Sequence, residues 1–152
     1  MNRLYGLIGF PLGHSFSARY FTEKFQRENL SGYEYRNFPL ESIRELPAML
    51  ENHPGLLGFN VTIPYKQEVI PFLTALSAEA REIGAVNCVK ITPQGLYGHN
   101  TDAYGFRKSL LGLIGPMRPD ALILGTGGAS KAVGYVLREL GIAYTTVSRS
   151  GG

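Results

Sequence analysis

Four clusters in the chain carry the residue types that chemistry needs. The first is Gly13-His14-Ser15-Phe16-Ser17, with two hydroxyls two residues apart where a strand should give way to a helix. Beside free helix N–H groups, such a pair suits a carboxylate or a phosphate. Ser17 could equally do no more than cap the helix. The second is Asn60-Val61-Thr62-Ile63-Pro64-Tyr65-Lys66. On a strand, Asn60 and Thr62 share one face, and Val61 and Ile63 share the other. Pro64 ends the ladder and leaves Lys66 just past the strand's carboxyl end, where open α/β sheets hold their ligands. The competing reading is a half-buried strand followed by a solvated lysine. The third is Gly98-His99-Asn100-Thr101-Asp102, again strand end to helix start. Its Asp102 could meet a basic group, or Thr101 or Asp102 could cap the helix. Asn87, at a strand start in Gly84-Ala85-Val86-Asn87, is a further polar candidate. It could also be a turn amide bonded to its own backbone.

The fourth cluster is Gly125-Thr126-Gly127-Gly128-Ala129-Ser130. It follows an apolar strand and opens an amphipathic helix, the context a dinucleotide fingerprint requires. Glycines let a backbone approach a pyrophosphate, and the helix N-terminus adds N–H groups and positive potential. Ser130 stands where the common pattern has Gly or Ala. At the end of the next strand come Ser148 and Arg149. An NAD site wants Asp or Glu there for the ribose 2′-hydroxyl, whereas Arg149 suits a 2′-phosphate and favours NADP. The alternative for Arg149 is a solvated side chain at a frayed end. His14, His53 and His99 lie at no metal-ligand spacing from one another, so no metal site is expected.

These clusters need elements to hold them. Apolar runs and breakers predict strands over 3–9, 33–38, 57–62, 86–91 and 96–99. Helices are expected over 17–29, 41–52, 65–76, 78–83 and 101–111, with Tyr20, Phe21 and Phe25 most simply core. A loop with two prolines follows over 112–120. Then come a strand at 121–124, a helix striped by Ala129, Val133, Val136, Leu137 and Leu140, a stop at Gly141, and a strand at 143–147. Strands alternating with helices argue an α/β fold with a mainly parallel sheet. The expected division is 1–112 for a first domain and 113–152 for a Rossmann-like βαβ unit. Two strands and one helix cannot bury both faces of a sheet, so the second unit reads as incomplete.

Composition narrows the classes. The chain has 152 residues, 44% hydrophobic and 18% charged, which suits one packed domain or a domain plus a fragment. The net charge of +3 is scattered without a basic run, which argues against a nucleic-acid face. The single cysteine, Cys88, forbids an intramolecular disulfide and fits a reducing compartment such as the cytoplasm. Gly6, Gly9 and Pro11 break the apolar start, which argues against a signal peptide. No uninterrupted apolar stretch reaches the ~18 residues of a membrane span.

Taken in order, the motifs resemble those of the shikimate dehydrogenase family. They are Gly13-His14-Ser15-Phe16-Ser17, Asn60 to Lys66, Gly84-Ala85-Val86-Asn87, Asn100-Thr101-Asp102-Ala103-Tyr104-Gly105 and Gly125 to Ser130. The resemblance implies a substrate-binding domain followed by the start of an NADP-binding Rossmann domain. It implies reversible, NADPH-dependent reduction of 3-dehydroshikimate to shikimate, a step of chorismate and aromatic amino-acid biosynthesis. By motif position, Ser15 and Ser17 would bind the substrate carboxylate. Asn60, Thr62, Asn87 and Asp102 would hold ring hydroxyls, with Lys66 and Asp102 as the catalytic pair. Gly125, Gly127, Gly128 and Ala129 would line the pyrophosphate, and Ser148 and Arg149 the 2′-phosphate. Phe16-Ser17-Ala18 departs from the family's usual aliphatic-Ser-Pro but keeps both serines. The family's chain also completes the cofactor sheet and returns to the substrate domain with a terminal helix, which this sequence does not contain.

Lys66 would donate a proton in one direction and accept it in the other. Burial would lower its pKa and Asp102 would raise it, and the sequence leaves that balance open. Two other readings stand beside the dehydrogenase: a non-catalytic shikimate-binding fragment, and a relative acting on quinate. The expected partners are small molecules. An apolar sheet edge left by the unfinished unit would invite association, so a homo-oligomer stays open.

Overall fold

The computed structural model describes residues 3–13 and 15–148. Two sheets organise them. The first has six strands, in the spatial order 33–39, 3–9, 56–61, 88–92, 95–99 and 75–76. β1 (Arg3–Gly9) runs parallel to β2 (Tyr33–Pro39) on one side and to β3 (Leu56–Val61) on the other. β5 (Cys88–Thr92) is antiparallel to both β3 and β6 (Gly95–His99). β4 (Ala75–Leu76) closes the edge parallel to β6. The sheet is therefore mainly parallel, as the alternation of strands and helices suggests, with β5 as the reversed strand.

Alternation along β1 divides the core. Leu7 faces α1 (Ser17–Arg27) and packs with Leu12, Tyr35, Phe21 and Phe25. Ile8 faces the opposite layer and packs with Phe38, Leu46, Met49, Phe59, Val61, Val69, Val86 and Val89. Full burial of a side chain such as Ile8 contributes about 1.5–3 kcal/mol. Leu46 and Met49 come from α2 (Leu46–Glu51), where Pro47 sits in the first turn and leaves no helical bond broken. A 3-10 turn, Ile43–Glu45, precedes α2 and carries a capping box between Ser42 and Glu45. Tyr20 differs from the expected core residue: it is exposed, while Phe21 and Phe25 carry the contact of α1 with the sheet.

The helix expected over 65–76 does not form. The segment is a series of turns, a 3-10 turn at Ile70–Phe72, and the short strand β4. Pro71 cannot donate inside a helix, and Thr74 N–H instead donates to the Leu96 carbonyl at 2.9 Å. The apolar spacing of Tyr65, Val69 and Ile70 is used by the core without a helix.

α3 (Ala78–Ile83) starts at Ser77, whose hydroxyl accepts from Ala80 N–H at 3.1 Å. α4 (Asp102–Ile114) runs further than expected, so the anticipated division between 112 and 113 falls in its last turn. The second sheet pairs β7 (Ala121–Leu124) with β8 (Tyr144–Val147) in parallel, joined by α5 (Gly128–Glu139). Ala132, Tyr135 and Val136 of α5 are buried against Ile83, Ala85 and Ala103 of the first unit. Its Val133 and Leu137 pack with Ile123 and Ile142, where Phe106, Leu110 and Ile114 of α4 join them. The far side of this sheet stays open, with Leu122 and Leu124 exposed. No helix among the described residues is long and apolar enough to cross a membrane.

Candidate functional site

The site forms at the carboxyl ends of β1 and β3, where residues 84–87 and the start of α4 also arrive. Val61 N–H donates to the Asn87 carbonyl at 2.9 Å, and Asn87 N–H donates to the His99 carbonyl at 3.1 Å. The backbone of Asn87 is thus pinned between the ends of β3 and β6. Its side chain is then aimed at α4. Asn87 Nδ2 donates to Asp102 Oδ1 at 2.8 Å and to Thr101 Oγ1 at 2.9 Å, while Oδ1 accepts from Thr101 N–H at 2.8 Å. The self-bonded turn amide is excluded by these partners.

Asp102 Oδ2 meets Lys66 Nζ at 2.7 Å. Two features bring Lys66 there. Pro64 turns the chain out of the sheet, and the Lys66 carbonyl accepts from Val86 N–H at 2.7 Å. The pair is largely shielded, with side-chain exposures of 15% for Lys66 and 33% for Asp102. Its charges are therefore screened less than those of a surface pair. The solvated-lysine reading of Lys66 does not hold.

Neither Thr101 nor Asp102 caps α4 with its side chain. Asn100 does that work: its Oδ1 accepts from Ala103 N–H at 3.2 Å and its Nδ2 donates to the Ala85 carbonyl at 2.9 Å. Ser17 is likewise no cap, since Phe16 holds the N-cap position of α1 without a side-chain bond. Ser15, Ser17 and Thr62 line one open cavity of about 450 Å³ with Phe10, Phe16 and Ile63. His14 lies outside the described residues.

Asn60 is placed differently. Its Nδ2 donates to the Asn87 carbonyl at 3.2 Å, which links it to the lysine cluster. Its Oδ1 accepts from Tyr35 O–H at 2.8 Å, beside a mostly apolar cavity of about 330 Å³ that Cys88 also lines. Burial raises the Tyr35 phenol well above the ordinary tyrosine value, Cys88 adds to the rise, and a hydrogen bond with Ser17 opposes it. Burial also raises the Cys88 thiol. The polar candidates thus fall into a bonded cluster of Lys66, Asn87, Asp102 and Asn60, and a serine–threonine cavity that Ser17 ties to Asn60 through Tyr35.

The glycine turn sits at the N-terminus of α5. Gly125 has φ +112°, a conformation that favours glycine, and its N–H donates to the Val147 carbonyl at 2.8 Å. At Gly127, the N-cap, a side chain would meet nothing within 4 Å, so the backbone is open to an approaching ligand. No side chain caps this helix, which leaves its first N–H groups for an anion. These features fit a pyrophosphate. Ala129 follows in the first turn, Ser148 comes just after β8, and Arg149 lies outside the described residues. Among the described residues, no group of three or more His, Cys, Asp or Glu could hold a metal.

The sequence reading missed three positions: Tyr35, Asn100 and Thr101. Asn100 and Thr101 stand in a quoted motif, but their type and spacing alone gave them no partner. Tyr35 carried no signal, because its partner Asn60 is 25 residues away.

The chain is similar to known proteins over most of its length. The family model described as the shikimate dehydrogenase substrate binding domain matches residues 7–89. A protein named shikimate dehydrogenase (NADP(+)) from Aquifex aeolicus is 42% identical over 142 residues, covering 91% of this chain and 52% of that one. The crystal structure of shikimate dehydrogenase from Aquifex aeolicus superposes with a TM-score of 0.86 at 40% identity, over 97% of this chain and 56% of that one. The Thermus thermophilus shikimate 5-dehydrogenase in complex with NADP(H) and shikimate gives 0.85 at 34% identity, over 99% of this chain and 57% of that one. The chain spans about half the length of the curated relatives it matches. With the family model covering more than half of its residues, the chain belongs to the shikimate dehydrogenase substrate-binding-domain family.

Proposed function

We propose that this chain provides the substrate-binding part and the opening of the cofactor part of an NADP-dependent shikimate dehydrogenase. Residues 1–112 hold the substrate and residues 113–152 begin the NADP-binding unit. The observation that carries the reading is the Lys66–Asp102 pair at 2.7 Å, held in place by Asn87. An ammonium beside a carboxylate at the end of a parallel sheet is a proton donor with a fixed direction. Ser15 and Ser17 bind the substrate carboxylate, and Asn60, Thr62 and Asn87 hold ring hydroxyls. Gly125, Gly127, Gly128 and Ala129 line the pyrophosphate, with Ser148 and Arg149 at the 2′-phosphate. Bound NADPH supplies the hydride. Lys66 as ammonium delivers the proton to the oxygen of the ketone being reduced. In the oxidative direction neutral Lys66 takes that proton back. Asp102 orients the ammonium and accepts from the reacting hydroxyl. The single cysteine, Cys88, favours a reducing compartment such as the cytoplasm for this work.

A second reading, a shikimate-binding portion without turnover, is favoured by the two-stranded sheet of β7 and β8, with Leu122 and Leu124 exposed. Two measurements separate the possibilities. Calorimetry with shikimate should show binding that Lys66→Ala and Ser15→Ala each weaken by about tenfold or more, ~1.4 kcal/mol. Absorbance of reduced nicotinamide, on mixing with shikimate and NADP, reports turnover. NADPH formation abolished by Lys66→Ala supports the dehydrogenase. Binding without NADPH formation supports the second reading. A folded chain that binds no shikimate overturns both.

A further inference from the structure

We propose that Gly128 is a positioning residue for Lys66: the absence of a side chain at this point lets the glycine turn and the lysine stem lie directly against one another. The proposal rests on the reading of Lys66 as the proton donor and goes beyond Gly128's expected place along a pyrophosphate.

A Cβ built on Gly128 would lie 2.8 Å from Lys66 Cβ, 3.3 Å from Lys66 Cδ and 3.5 Å from Ala85 Cβ. Carbon atoms pack best at about 3.5–4.0 Å, so the first of these contacts is a collision. Its backbone torsion is not in the left-handed region, so the constraint is one of space. The collision is also hard to relieve. Lys66 Cβ is one bond from the main chain, and rotating the side chain does not move it. That main chain is held by the 2.7 Å bond from Val86 N–H, and the far end of the side chain by Asp102 at 2.7 Å. The helix that carries Gly128 is equally fixed, because Ala132 and Val136 are buried against Ile83, Ala85 and Ala103.

Gly127 next to it gives the contrast. A side chain there would enter open space. Two adjacent glycines of one turn therefore have different jobs. Gly127 leaves the backbone open, and Gly128 admits the lysine. The turn that fits the cofactor and the group that moves the proton are set in register by direct packing.

The test compares Gly128→Ala with Gly127→Ala in the 152-residue chain, without cofactor. The readouts are melting temperature, the Lys66 side-chain NMR resonance followed through pH, and shikimate binding by calorimetry. The expected result is that Gly128→Ala lowers the melting temperature, shifts the Lys66 resonance and its titration, and weakens shikimate by about tenfold or more. Gly127→Ala should leave the Lys66 resonance in place. Gly128→Ala could prevent folding altogether, so the same substitution is also made in a Lys66→Gly background, which removes the Cβ it would strike. The loss caused by Gly128→Ala should largely vanish there. A Gly128→Ala protein with the parent's melting temperature and Lys66 titration overturns the proposal. So does a loss that persists undiminished in the Lys66→Gly background. If the parent chain binds no shikimate, the functional reading fails, while the melting cycle still decides the contact.

Discussion

Asn87 and Asp102 stand 15 residues apart in sequence, and the Asn87 amide donates to one Asp102 oxygen at 2.8 Å while Lys66 takes the other at 2.7 Å. The carboxylate cannot rotate without giving up one of these partners. Asn87 itself is 9% exposed, while the Asp102 side chain is 33% exposed and Thr101 lies at the surface, so water can take over only part of what the amide does. Asn87→Ala should therefore strand the Thr101 N–H and one Asp102 oxygen. A loss of about 1–3 kcal/mol in unfolding free energy is expected, read from urea denaturation. An unchanged midpoint would mean that solvent replaces the amide at no cost.

Asn100 ties two segments rather than two side chains. It is 3% exposed, and it satisfies both the Ala85 carbonyl and the Ala103 N–H at the start of α4. Asn100→Ala removes a cap and leaves a buried carbonyl alone, for a loss of about 2 kcal/mol. Thermal unfolding of this variant beside Thr101→Val checks the assignment. Thr101→Val keeps the backbone bond to Asn87 Oδ1 and should cost less. Equal losses would contradict the division of labour.

The sequence placed much of this site because its key residues announce themselves locally. Pro64 ends an apolar strand, so the position of Lys66 past the sheet edge could be read from seven consecutive residues. The glycine turn was legible for the same reason, lying between an apolar strand and a striped helix. What stayed hidden depends on partners distant in the chain. Asn100 looks like any polar residue before a helix until the Ala85 carbonyl, 15 residues earlier, is placed beside it. The expected helix over 65–76 failed because apolar spacing speaks for burial, and Pro71 together with the pairing of β4 decides the backbone. The closeness of Gly128 to Lys66 exists only once α5 has docked on the first unit.

Cys88 offers a probe of the Asn60 side of the site. It pairs with Asn60 in the β3–β5 register, and burial raises its thiol above the ordinary range. A smaller thiolate fraction means slower attack on an alkylating reagent. At pH 8, iodoacetamide should modify Cys88 at least about tenfold more slowly than a free small thiol, and urea should remove the difference. A rate equal to that of the free thiol in the folded protein would show that the cavity beside Tyr35 admits solvent freely.

Tyr35 gives the same region a pH signature. Its hydroxyl donates to Asn60 at 2.8 Å, and burial holds its proton well above the ordinary tyrosine value of about 10. Above that pH the unfolded chain loses the proton first, so the native state binds more protons than the unfolded state. Stability from this group is complete below about pH 10 and is lost as pH rises beyond it. Tyr35→Phe keeps the ring stacked on Phe21 at 4.5 Å, and removes both the hydrogen bond and the titration. At pH 8 the variant should be less stable by about 1 kcal/mol, the ordinary net worth of such a bond. Between pH 9 and about 11 the parent should lose stability faster than the variant, so the gap should narrow. Tyr65 is also raised by burial, but it is common to both proteins and cancels in the difference. Urea denaturation of the two proteins across that range reads the gap directly. A gap that stays constant would mean that the Tyr35 proton is no harder to remove in the fold than in the unfolded chain.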